Sequence, residues 1–66
     1  MSKLNENIKF YRKSLKLTQK TLAEKLGLVR TAISNYESGR NEPDTKILIK
    51  LADIFDITVD ELLGRE

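Results

Sequence analysis

Apolar residues recur at helical spacing along most of the chain, and the pattern stops at each glycine. Gly27, Gly39 and Gly64 all stand where a helical repeat ends, as glycine does at helix C-termini. The only proline, Pro43, lies between two repeats, and no stretch shows the sustained alternation of a strand. The sequence therefore predicts an all-α fold.

Five helices account for the pattern, and their caps set most of the boundaries. Thr58 and Glu61 form a capping box, in which each side chain satisfies a backbone N–H of the other residue. The predicted helices run from Leu4 to Leu15, from the N-cap Thr18 to before Gly27, from Arg30 to Ser38, from the N-cap Asp44 to Phe55, and from the N-cap Thr58 over Leu62 and Leu63.

One face of each predicted helix is apolar and is expected to form the core. The expected inward residues are Leu4, Ile8, Tyr11, Leu15, Leu22, Ala23, Leu26, Ile33, Tyr36, Ile47 or Leu48, Leu51, Ala52, Phe55, Ile57, Leu62 and Leu63. Ile54 and Val59 could complete this core or form a dimer patch. Phe10 lies off the main stripe, so it could cover an edge of the core or meet a partner.

The size and composition of the chain exclude several classes of function. With 66 residues, the chain is expected to form a single domain over 1–66. It has no Cys and no His, which rules out disulfides, removes the usual zinc ligands and argues against an enzyme. No apolar run approaches the roughly 20 residues needed to span a bilayer. We therefore expect a non-enzymatic cytoplasmic protein with no metal, cofactor, membrane or legible small-molecule ligand.

Positive charge is concentrated in the first half of the chain. Residues 1–30 carry eight Lys/Arg against two Glu, whereas residues 31–66 carry four Lys/Arg against eight Asp/Glu. The halves thus have net charges of +6 and −4, which sum to the net +2 of the whole chain. This asymmetry fits either solvated helix faces or a surface that binds a polyanion.

The most informative stretch runs from Thr18 to Pro43 and predicts a short helix, a tight turn and a second helix. The outer face of that second helix carries short hydrogen-bonding side chains at its N-terminal end, namely Arg30, Thr31, Ser34 and Asn35. Arg pairs with guanine edges, Asn with adenine, and Thr or Ser with several acceptors. Such a face suits the major groove of DNA.

Three ordered segments resemble the lambdoid repressor and Cro family of helix-turn-helix domains, the xenobiotic-response-element type, and the resemblance covers nearly the whole chain. The segments are Thr18-Gln19-x-x-Leu22-Ala23-x-x-Leu26-Gly27, then Arg30-Thr31-Ala32-Ile33-Ser34-Asn35-Tyr36-Glu37-x-Gly39-Arg40 with Pro43, and finally Leu51-Ala52 with Asp60-Glu61-Leu62-Leu63. The resemblance implies a compact five-helix, lambda-repressor-like domain, with the third helix in the major groove.

The resemblance also implies roles for individual residues. It gives base reading to Arg30, Thr31, Ser34 and Asn35, and phosphate contacts to Gln19, Ser38, Arg40 and Asn41. Among the lysines of the first half, which are expected to be solvated, Lys20 is the one we expect to contact phosphate. Gln19 is further expected to brace a base-reading side chain. A buried ion pair is implied between Arg12 and Glu37.

Three positions depart from the family pattern. Val29 stands where Ser or Thr usually caps the third helix, and Lys16 and Asp56 stand at turns where Gly or Asn is common.

The predicted function is sequence-specific binding of double-stranded DNA by a transcriptional regulator, of repressor type, acting as a homodimer on a palindromic operator. The alternative is a protein-interaction module, antitoxin-like or regulator-binding, with the same fold.

Overall fold

The computed structural model describes residues 3–65, and within them it contains five α-helices and no strand. The helices are α1 (Leu4–Ser14), α2 (Gln19–Leu26), α3 (Arg30–Ser38), α4 (Thr45–Phe55) and α5 (Val59–Leu63). The predicted all-α, five-helix fold is confirmed, and so are the bounds predicted for the second, third and fourth helices.

Side-chain caps begin three of the helices where the sequence predicts them. The Thr18 hydroxyl accepts the backbone N–H of Thr21 at 3.0 Å, and the Asp44 carboxylate accepts that of Ile47 at 2.9 Å. Thr58 and Glu61 form both hydrogen bonds of the predicted capping box. Val29, the N-cap of α3, makes no such hydrogen bond, so α3 lacks a contact that stabilises a helix by about 1 kcal/mol.

The core takes one fully buried aliphatic side chain from each helix. These five side chains are Ile8, Leu22, Ile33, Leu51 and Leu62. The other buried apolar residues, Leu4, Ala23, Leu26, Ala52 and Phe55, were all predicted to face inward. Seven further residues are half-buried against this core: Tyr11, Tyr36, Ile47, Leu48, Ile54, Ile57 and Leu63. The sequence predicted that either Ile47 or Leu48 faces inward, and in the structure both pack against the core.

Leu15 is the one predicted core residue that the structure places outside. Helix α1 ends at Ser14, and Leu15 is 48% exposed. The chain turns at Lys16, whose φ of 58° is left-handed, and this turn brings Leu17 rather than Leu15 against the core. The first helix was therefore extended one residue too far, and its apolar stripe included a turn residue.

Candidate nucleic-acid interface

Helices α2 and α3 pack against each other and form the predicted helix-turn-helix. The turn between them begins at Gly27, which has a left-handed φ of 71°. The inner side of α3 is anchored by Ile33, which is fully buried. The opposite side faces away from the core, so its first turn is open to a ligand.

The four residues predicted to read bases lie on the outer part of α3. Arg30 and Thr31 are exposed, whereas Ser34 and Asn35 are half-buried. Val29, immediately before this helix, is also uncovered, with 70% of its surface exposed. The N-terminal end of α3 is therefore the part of the helix-turn-helix most accessible to a partner.

The loop after α3 is folded back onto the end of the helix. The carbonyl oxygen of Asn35 accepts four hydrogen bonds: from the backbone N–H of Gly39, from that of Arg40 at 3.0 Å, from that of Asn41 at 3.3 Å and from the Ser38 hydroxyl at 3.1 Å. The Ser38 hydroxyl also accepts the Arg40 N–H at 3.4 Å. The side chains of Ser38, Arg40 and Asn41 are all exposed, so this ordered loop offers one cation and two polar groups.

Acidic residues follow this loop closely. Glu42 and Asp44 are both exposed, and their negative charges weaken the attraction of the loop for a polyanion.

Burial raises the pKa of the Tyr36 hydroxyl above its ordinary value of 10.0, and the negative charge of Asp44 raises that pKa further. Tyr36 thus remains a neutral hydrogen-bonding group at the base of the loop.

Arg12 and Glu37 form the ion pair that the resemblance implies, and they join α1 to α3. Arg12 Nε donates to Glu37 Oε2 at 2.6 Å, and Arg12 Nη2 donates to Oε1 at 3.2 Å. The two side chains are only 10% and 5% exposed. Arg12 Nη1 also donates to the carbonyl oxygen of Leu17 at 2.7 Å, a contact for which the sequence offers no signal.

Gln19, the first residue of α2, bridges the two ends of α3. Its side-chain amide nitrogen donates to Glu37 Oε1 at 3.1 Å. Its amide oxygen accepts a hydrogen bond from Arg30 Nη1, also at 3.1 Å. The contact between Gln19 and Arg30 has the geometry of the bracing role expected from the resemblance, whereas the contact with Glu37 was not foreseen.

Other parts of the described chain offer little alternative chemistry. An open cleft of about 360 Å³ lies between Leu4, Asn5 and the loop after α3, but its lining includes the carboxylate of Glu42 and no cation. Within residues 3–65, no group of three or more acidic, His or Cys side chains could hold a metal ion. None of the helices in this range is long and apolar enough to cross a membrane.

Lys20 is exposed next to Gln19 on the first turn of α2. The remaining lysines of the first half, Lys3, Lys9, Lys13, Lys16 and Lys25, are exposed as well. The predicted phosphate-contacting residues thus flank the outer face of α3 from the start of α2 and from the loop after α3.

The chain is similar to transcriptional regulators over nearly its whole length. The helix-turn-helix family model matches residues 8–62. The HTH-type transcriptional regulator YqaE of Bacillus subtilis is 48% identical over 62 residues, which cover 94% of this chain and 53% of that protein. The cryptic phage CTXphi transcriptional repressor RstR of Vibrio cholerae is 38% identical over 63 residues, which cover 96% of this chain and 56% of that protein.

A solved structure shares the fold closely. The P22 c2 repressor, crystallised in complex with a synthetic operator, superposes with a TM-score of 0.88 and 32% identity, and the match covers 96% of each chain. This chain spans about half the length of the curated relatives it matches. Because the family match includes both α2 and α3, the chain belongs to the helix-turn-helix family, of the xenobiotic-response-element type found in Cro and the lambdoid repressors.

Proposed function

We propose that this chain binds double-stranded DNA sequence-specifically as a transcriptional regulator of repressor type, with α3 in the major groove. One observation carries the proposal: the first turn of α3 presents Arg30 and Thr31 to solvent, while the next turn is anchored to the core by the fully buried Ile33. The major groove admits an α-helix presented in this way. The similar P22 c2 repressor was crystallised in complex with a synthetic operator, which supports DNA as the partner.

In this docking mode the side chains divide into two groups. Arg30, Thr31, Ser34 and Asn35 read base edges, which sets sequence preference. Gln19, Lys20, Ser38, Arg40 and Asn41 contact phosphates, which sets register and overall affinity. The role is binding and not catalysis, and it is exercised in the bacterial cytoplasm, where operator DNA is found.

The chain acts as a homodimer on a palindromic operator. A single reading helix makes few base contacts, and helix-turn-helix dimers place two such helices on half-sites about 34–36 Å apart. The half-buried apolar residues Ile54, in the last turn of α4, and Val59 and Leu63, on α5, form the surface we assign to the partner. The alternative, a module that binds another protein, would leave α3 with no need for a polar outer face.

Selection of bound sequences from a random duplex pool tests this function. We expect one enriched motif made of two inverted half-sites. Affinity for that motif should fall with salt, with a log–log slope of about −0.9 for each phosphate neutralised. A pool without enrichment, or binding that is insensitive to salt, would refute DNA reading. An Arg30→Ala/Asn35→Ala variant that loses the motif but keeps a protein partner would separate the two roles.

A further inference from the structure

A continuous chain of hydrogen bonds runs from the interior of the fold to the tip of α3. It begins at the carbonyl oxygen of Leu17, which accepts from Arg12, and continues through the paired bonds between Arg12 and Glu37. Gln19 then donates to Glu37 and accepts from Arg30, with both distances at 3.1 Å. Every link joins side chains of different elements, except the first, which ends on the turn after α1.

We propose that Glu37 is a positioning residue for base selection, because it holds Gln19 in the orientation in which Gln19 holds Arg30. This inference rests on the proposed DNA-reading function. Glu37 lies seven residues after Arg30 on α3, so the two side chains emerge from nearly the same side of the helix, two turns apart. Gln19 spans that gap from α2.

The chemistry of the two ends fixes the amide of Gln19 in one orientation. A carboxylate can only accept hydrogen bonds, and a guanidinium can only donate them. The nitrogen of the Gln19 amide must therefore point to Glu37 and its oxygen to Arg30. Without the carboxylate, the amide nitrogen loses its acceptor, and the contact with Arg30 alone is left to hold the Gln19 side chain in place.

Glu37 is itself prevented from moving. Both of its oxygens are held by Arg12, in a bidentate pair, and its side chain is 5% exposed. One N–H of Arg30 is used by Gln19, and a guanidinium has five N–H groups. Arg30 therefore keeps enough donors for a bidentate contact with guanine while its side chain is held ready. Because the Arg30 side chain is already ordered, less conformational entropy is lost when it binds DNA.

A matched pair of double variants tests this role without leaving a charge buried alone. Arg12→Met/Glu37→Leu replaces the ion pair with apolar side chains, an exchange that proteins often tolerate. Arg12→Met/Glu37→Gln instead keeps a side-chain oxygen that can accept from Gln19, on an amide with nearly the shape of the carboxylate it replaces. Melting curves of the two variants establish that both fold.

The readout is the preference for one base pair, measured as a ratio of dissociation constants. The two duplexes are the selected operator and a copy changed at the base pair where Arg30→Ala loses discrimination. We expect Arg12→Met/Glu37→Leu to reduce this ratio by about fivefold or more, the low end of what a bidentate contact contributes. Arg12→Met/Glu37→Gln should keep most of it. Preferences at other positions should not change in either variant.

A variant outside the ion pair gives an independent measurement. Gln19→Met removes both bridging bonds from a half-buried position, and it should reduce the same ratio without further effect when combined with Arg30→Ala. Equal ratios in the parent, both double variants and Gln19→Met would overturn the positioning role of Glu37. A parent protein that selects no DNA sequence would instead overturn the proposed function.

Discussion

The side chain of Asn7 on α1 donates a hydrogen bond to the carbonyl oxygen of Leu62, 55 residues later in the chain, at a distance of 3.0 Å. Leu62 belongs to α5, whose last carbonyls have no partner within the helix. This bond therefore satisfies a helix end and fastens the last helix to the first. It also holds in place the element to which we assign part of the dimer surface.

Replacement of Asn7 by Ala should destabilise the protein, and Asn5→Ala provides the matched control. Loss of the bond to Leu62 costs about 0.5–1.5 kcal/mol, while Ala gains about half a kcal/mol in helix propensity at either position. Asn5 occupies the same turn of α1 and makes no side-chain hydrogen bond within the described part of the chain. The difference in unfolding free energy between the two variants, measured by urea denaturation, should be about 1 kcal/mol. Equal stabilities would show that the Asn7 bond contributes nothing.

The missing cap at Val29 should be easy to supply. The residue already has the extended backbone of an N-cap, with φ −91° and ψ 155°, and its side chain is largely exposed. Val29→Ser should therefore add a hydrogen bond from a backbone N–H in the first turn of α3 to the new hydroxyl and raise the unfolding free energy by about 1 kcal/mol. Val29→Ala removes the same methyl groups without adding an oxygen. A Ser variant no more stable than the Ala variant would contradict the prediction.

Replacement of Lys16 by glycine should stabilise the protein, although glycine usually destabilises a folded chain. Its φ of 58° is unfavourable for a residue with a Cβ atom and costs about 1–2 kcal/mol, part of which glycine recovers after its own entropy cost. We expect Lys16→Gly to raise the unfolding free energy by about 0.5–1 kcal/mol. Lys13→Gly, in the last turn of α1, should lower it by about 1 kcal/mol. Thermal unfolding of both variants gives the two signs, and loss of stability in both would show that the turn is not strained.

The pKa of Tyr36 should be measurable on its own, because the chain has only two tyrosines. In a Tyr11→Phe variant, absorbance titration should give a pKa for Tyr36 above 10.0, since burial and Asp44 both oppose the phenolate. Asp44→Asn keeps a good N-cap but removes the charge, so it should lower this pKa. Because the folded state holds this proton more tightly than the unfolded state, Tyr36 makes stability fall as pH rises above 10.0. A titration at or below 10.0 would contradict the assignment.

The parts of the fold that follow from local chemistry were predictable from sequence. Caps such as Thr18 and Asp44 act within three residues, and the glycines mark helix ends, so the boundaries of α2, α3 and α4 could be predicted. Leu15 was misplaced because helical periodicity continues past Ser14, whereas the left-handed turn at Lys16 ends the helix.

The long-range polar contacts were not accessible in this way. The Arg12–Glu37 pair was expected only through the family resemblance, since no local pattern links residues 25 positions apart. The bonds from Asn7 to Leu62 and from Gln19 to Glu37 depend on how the helices pack. A pattern of apolar residues predicts which face of each helix turns inward, but it does not predict how the helices pack against each other.

Arg30 and Arg40 should behave differently when each is replaced by Ala, although both are exposed arginines. Arg30 is held on the first turn of α3, where its remaining donors can meet a base edge, so its loss should cost about 1–3 kcal/mol at one operator position. Arg40 lies in the loop whose backbone is hydrogen-bonded to Asn35, and we propose that its charge meets phosphate and not a base. Arg40→Ala should lower the affinity for all duplexes alike and make the log–log dependence of affinity on salt less steep by about one.

Fluorescence anisotropy at several salt concentrations, on the operator and its single-base variants, separates these effects. An Arg40→Ala variant with altered base preference, or an Arg30→Ala variant weakened equally on every duplex, would mean that α3 is docked differently on the DNA.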